Sequence, residues 1–90
     1  MMDYKLLIGY RPKDDNYDES RWMLEIYNSI MDSILFPCKV SFNDIINTEN
    51  DEKVGVIAYI ETTEERAEKY LKHNNLVIDD VIEGIHIIKA

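Results

Sequence analysis

Cysteine is close to absent: Cys38 stands alone in 90 residues. No internal disulfide can close, and a reducing, cytoplasmic setting is expected. Glycine and proline are scarce, three and two residues. No repeat, low-complexity tract or linker-like stretch interrupts the chain, which reads as one domain over residues 1–90. Long apolar runs are missing too. They last only a few residues, as in Leu6-Leu7-Ile8, whereas a membrane-spanning helix needs about 20. The opening Met1-Met2-Asp3-Tyr4-Lys5 has no basic segment leading into an apolar one, so no secretory leader is expected. Positive charge is in short supply: 10 Lys and Arg face 18 Asp and Glu, a net charge of −8. Nucleic-acid binding uses the reverse balance, so direct contact with DNA or RNA is not expected.

What is present is enough to fold. The chain is 46% hydrophobic and 10% aromatic, too apolar for a disordered segment, and a domain of this size buries about 60–65% of its unfolded surface. Residues 4–10 carry aliphatic Leu6, Leu7 and Ile8 between tyrosines and end at Gly9 and the Arg11-Pro12 turn signal, so they read as a strand. Asp18 or Ser20 then caps a helix running to about Leu35. Its Trp22, Met23, Ile26, Tyr27, Ile30 and Ile34 recur at three- and four-residue spacing and form one stripe, and Pro37 stops it. Residues 39–46 and 53–61 are strand-like, separated by a polar loop. Thr62 and Glu65 have capping-box spacing. They open a second helix whose core face is Ala67, Tyr70 and Leu71 and which stops at Asn74-Asn75. After a turn at Asp79-Asp80, residues 85–89 read as a final strand.

The order β-α-β-β-α-β predicts an α+β domain of the ferredoxin-like split-sandwich type. Right-handed crossovers then give a four-stranded antiparallel sheet in spatial order 4-1-3-2, with both helices on one face. Several RNA-binding, ligand-sensing, acylphosphatase and propeptide domains share this element order, but their diagnostic residues do not stand in this chain.

Threaded through that topology, the charge acquires a location. The loops after the first strand, between the second and third strands, and before the last strand leave the sheet at one end. They bring together Asp14, Asp15, Asp18 and Glu19, then Glu49, Asp51 and Glu52, then Asp79 and Asp80, half of the acids. A concentrated negative rim attracts cationic partners and speeds encounter, and acidic loops also keep a small protein in solution. The helix-free sheet face is the second feature. If Val54, Val56, Ala58 and Ile60 point to the helices, alternation sends Ile57 and Tyr59 the other way, together with Leu7, His86 and Ile88. Such a face is expected to pair two copies of the chain or to line a ligand cavity.

Most chemical motifs fail. Asp14-x-Asn16-x-Asp18 with Glu25 at the twelfth position has the spacing of a calcium loop, but Glu19 stands where the sharp turn requires Gly. Cys38, His73 and His86 fall on different elements, so no metal is expected. Residues 53–60 match an RNA-binding strand in length, yet only Tyr59 could stack a base. Ser20, Ser29, Ser33 and Ser41 have no recognisable nucleophile elbow, neither histidine has an acid nearby by helix or strand spacing, and the three glycines are too dispersed to cradle a phosphate. No cofactor is expected. The reading is a non-enzymatic binding protein whose acidic rim meets a basic surface of a protein partner. Its sharpest form is a phage-type inhibitor that mimics DNA in a groove of a host nucleic-acid-handling protein; 13 Ile and 7 Asn against 3 Ala and 3 Gly point to an AT-rich coding sequence. The alternatives are a dimeric ligand sensor, or a small cofactor-free enzyme with Tyr59 and His86 in its cavity.

Overall fold

A computed structural model describes residues 2–89. Strand β1 (Tyr4–Tyr10) is followed by helix α1 (Glu19–Met31), strands β2 (Lys39–Asn47) and β3 (Glu52–Thr62), helix α2 (Glu64–His73), and strands β4 (Val77–Ile82) and β5 (Ile85–Lys89). The class is α+β. The sheet has five strands in the order β2-β3-β1-β5-β4. β2, β3 and β1 pair antiparallel, as the sequence predicts for that half. Among the described residues no helix is long and apolar enough to cross a membrane.

The other half corrects the expected four-stranded antiparallel sheet. Asp79-Asp80 is no turn: both residues lie inside β4. The chain reverses instead at Glu83 and Gly84, with φ of 52° and 78°. Two left-handed residues in a row form the tight hairpin turn whose twist matches its strands, and glycine supplies the second without strain. The returning strand β5 slides between β4 and β1. It runs antiparallel to β4 but parallel to β1, with Lys5 beside Ile85 and Ile8 beside Ile88. The site beside β1 is therefore filled by a strand of opposite direction to the one expected.

The core lies between the sheet and the two helices. Leu6, Val56, Ala58 and Ile60 have no exposed surface, Ile30 is 1% exposed, and they pack in one cluster with Ile8, Ile26, Leu35, Ala67, Leu71 and Ile88. Burying side chains of this size stabilises by roughly 1.5–3 kcal/mol each. Asp18 caps α1, its carboxylate accepting from the Arg21 amide at 3.2 Å. The helix stops at Met31, short of the expected Leu35. The Ser33 hydroxyl explains the end: it donates to the Ile30 carbonyl at 2.6 Å and accepts from the Leu35 amide at 3.2 Å. Ile34 thereby leaves the stripe and Leu35 is buried in its place.

The start of α2 shifts by one residue as well. Thr63 is its cap, accepting from the Arg66 amide. Thr62 is the last residue of β3; its buried hydroxyl donates to the Leu35 carbonyl at 3.0 Å and ties the sheet to the α1–β2 connection. Thr62→Val is expected to strand that carbonyl and lower stability by about 1–3 kcal/mol, whereas Thr62→Ser retains the bond. Urea midpoints of the two variants check this: equal midpoints would remove the role assigned to the hydroxyl.

Candidate functional site: the acidic end of the sheet

Tyr10, the end of β1, pairs with Val56 in β3, and β3 begins at Glu52. Residues 11–18 and 48–51 therefore leave the sheet at the same end, as the sequence predicts. Local side chains shape both connections. Asp14 accepts from the Asn16 amide at 3.0 Å. Asn47 and Asn50 accept from the Glu49 and Glu52 amides at 3.0 and 3.1 Å, and Asp51 takes a left-handed φ of 57°. These short polar residues bond their own backbone two positions on, which favours turns over continued strand.

Seven of the nine expected rim acids are gathered here: Asp14, Asp15, Asp18, Glu19, Glu49, Asp51 and Glu52 are all exposed. Asp79 and Asp80 are not among them. They lie along the outer strand β4, whose pairing with β5 shifts register between Ile78 and Asp80. Charge and a bulge on an outer strand discourage other chains from pairing with it, and that is the role their position supports.

One cation is built into the acidic end. The Lys53 ammonium bonds Glu19 at the start of α1 and Asp44 of β2, the latter at 2.9 Å, and its side chain is only 22% exposed. Hydrogen bonds from Glu19 first and Asp44 second raise its pKa above the ordinary lysine value. Lys53 thus joins helix to sheet and neutralises Glu19, while the other carboxylates of the rim remain outside any ion pair among the described residues. Beside it lies a depression of about 570 Å³ lined by Arg11, Pro12, Asp15, Tyr17, Glu52 and Lys53. Tyr17 meets Trp22 edge to face with centroids 5.3 Å apart. Arg11, which sequence reasoning passed over as a turn residue, therefore joins Lys53 in a hollow of mixed sign within the acidic end.

The open sheet face is partly as expected. Leu7 pairs with Tyr59 and Gly9 with Ile57, one residue out of phase with buried Leu6 and Ile8, so Leu7, Ile57 and Tyr59 lie on the helix-free side. His86 and Ile88 do not. They pair with Leu6 and Ile8 and face the helices, where Ile88 is 4% exposed. The His86 ring stacks on Tyr4 at 4.0 Å, and its Nδ1 lies 3.1 Å from the Lys5 carbonyl. Ile85 and Ile87 take the open side in their place. A strand with isoleucine at 85, 87 and 88 offers apolar residues to both faces, so alternation could not fix its phase. Tyr59 and His86 end on opposite sides of the sheet, and the cavity expected between them does not form.

The remaining reactive groups sit apart. Burial pushes the Cys38 thiol above its ordinary pKa, partly opposed by Arg66, and its sulfur contacts Met31 Sδ at 3.8 Å; thiolate chemistry at neutral pH is thereby disfavoured. Burial, with Tyr70 alongside, raises the Tyr10 phenol. Among the described residues no group of three His, Cys, Asp or Glu side chains could hold a metal ion. In comparisons with protein families, curated proteins and solved structures, the chain matches none.

Proposed function

We propose that this chain is a non-enzymatic binding module that presents its acidic end to a basic surface of a protein partner. The observation that carries the reading is the convergence of two acidic loops at one end of the sheet with most of their carboxylates left unpaired. Carboxylates spaced along two loops can occupy a groove that otherwise holds phosphates, so a nucleic-acid-handling protein is the partner class with the best charge match. A phage-type inhibitor of such a host protein is the most specific form of the proposal.

Reversal of Asp14, Asp15, Asp51 and Glu52 to Lys tests it. All four side chains are exposed and outside the core, so circular dichroism is expected to keep the native spectrum, with a modestly lower melting point from the lost Asp14 turn bond and the left-handed φ at residue 51. Retention of the native partner, captured from host lysate at low salt, should fall at least about tenfold. High salt should weaken the unmodified protein in the same way. Binding unchanged by both the reversal and the salt would remove the acidic end as the contact.

A further inference from the structure

We infer that a second copy of this chain covers the open face of the sheet, the two sheets packed across a two-fold axis with their acidic ends at opposite poles. The pairing registers arrange that face in rows. The middle row runs Ser41, Tyr59, Leu7, Ile87, Asp80 across the five strands. Its three central residues are apolar and half-buried, while both outer ones are polar and exposed. An apolar centre with a polar rim is the anatomy of a protein interface.

Neighbouring rows extend the centre. Ile57 lies beside Gly9, and Ile45 of β2 leans toward the space above Gly9, its Cδ1 3.9 Å from where a β-carbon would stand there. On the other side, Ile85 pairs with Ile82, which is 51% exposed. No helix covers these residues: α1 and α2 pack on the opposite side with Leu6, Ile60 and Ile88.

Area and charge select the occupant. Five strands at about 4.8 Å spacing and some 17 Å of strand give roughly 400 Å² of flat face. A pair therefore buries on the order of 800–1,000 Å², the size of a weak, reversible interface. A two-fold pair needs no second complementary surface, because one patch meets itself. The row nearest the other end of the sheet carries Lys39, Glu61 and Lys5 and runs on to the β4–β5 turn with Glu83, so that end is close to neutral while the first is strongly acidic. With the acidic ends opposed, Lys5 and Lys39 of each copy approach the acidic end of the other. With the acidic ends together, the six unpaired carboxylates of each would confront six more. The inference does not depend on what the acidic end binds.

Sedimentation equilibrium over a micromolar concentration series tests it. The mass is expected to rise toward twice the 10.6 kDa of one chain. Tyr59→Lys with Ile87→Lys should hold the mass at one chain while circular dichroism keeps the native spectrum. Lys5→Glu with Lys39→Glu, which leaves the apolar centre intact, should weaken pairing at least about tenfold at low salt. An unmodified protein that stays at one chain throughout would overturn the inference, and so would a paired, folded Tyr59→Lys, Ile87→Lys variant. Pairing indifferent to the Lys5 and Lys39 reversal would overturn the opposed orientation.

Discussion

Leu6→Ala is expected to destabilise the domain by about 3–4 kcal/mol, within the range for leucine deletions that leave a cavity. Leu6 is fully buried on β1, and its neighbours across the sheet are Ile60 of β3 and His86 of β5. Both flanking strands hold it in register, and Ile30 and Leu71 belong to the core cluster around it. The site therefore has little freedom to collapse. A domain of this size has on the order of 5–13 kcal/mol in total, and each kcal/mol shifts its melting point by about 4–8 °C. The expected result is a melting point lowered by roughly 12 °C or more, with a reduced urea midpoint and an unchanged m-value. A loss under about 1 kcal/mol would mean that the space is refilled and that Leu6 is not at the centre of the packing.

The second large effect involves no lost contact. Gly55 lies where β3 passes the end of β1, and a β-carbon added there would stand 2.3 Å from the Tyr10 carbonyl oxygen and 3.2 Å from Arg11 Cγ. The first neighbour is backbone, which cannot swing aside as a side chain can. Pairing with β2 slips here as well, Ile45 opposing Gly55 and Ile46 opposing Lys53, which leaves Val54 as the extra residue of a bulge. Gly55→Ala must separate β1 from β3 at this end, at a cost of about 3 kcal/mol, the upper range for overpacking. The displacement should extend to Lys53 and its two carboxylates. Amide hydrogen exchange would show faster opening at Tyr10 and Val56 than at Leu6 and Ile60. Melting within a degree of the unmodified protein would show that the close approach is readily relaxed.

How far the sequence could be read differs from element to element, for definite reasons. α1 was legible because Ile26 and Ile30 sit at helical spacing behind a capping Asp18, and every local signal agrees there. Its end was not: nothing in the spacing of Ile34 and Leu35 shows that Ser33 closes the turn and exchanges their roles. The capping-box spacing of Thr62 and Glu65 placed the start of α2 one residue early, because only the packing of β3 shows that the Thr62 hydroxyl faces inward and leaves Thr63 as the cap. The β4–β5 hairpin was missed because Asp79-Asp80 resembles a loop in composition, while the conformational signal lay four residues later in Glu83-Gly84. Of the acidic end, the seven acids in and beside the two loops follow from the order of the first elements alone. Arg11 and the bridging position of Lys53 needed the fold.

The placement of β5 has a further consequence, for the route by which the domain assembles. β5 follows every other element in sequence, yet it alone joins β4 to the rest of the sheet, and it does so by pairing with β1, the first strand. Until that contact forms, the chain carries β1 as an open sheet edge, with β4 unattached. Contacts between segments so far apart must recover a large loop-closure entropy, so their formation is slow relative to the local β2–β3 hairpin. An intermediate in which β2, β3 and β1 are paired and β5 is not would present an unpaired apolar edge, the species most exposed to misassembly with another copy.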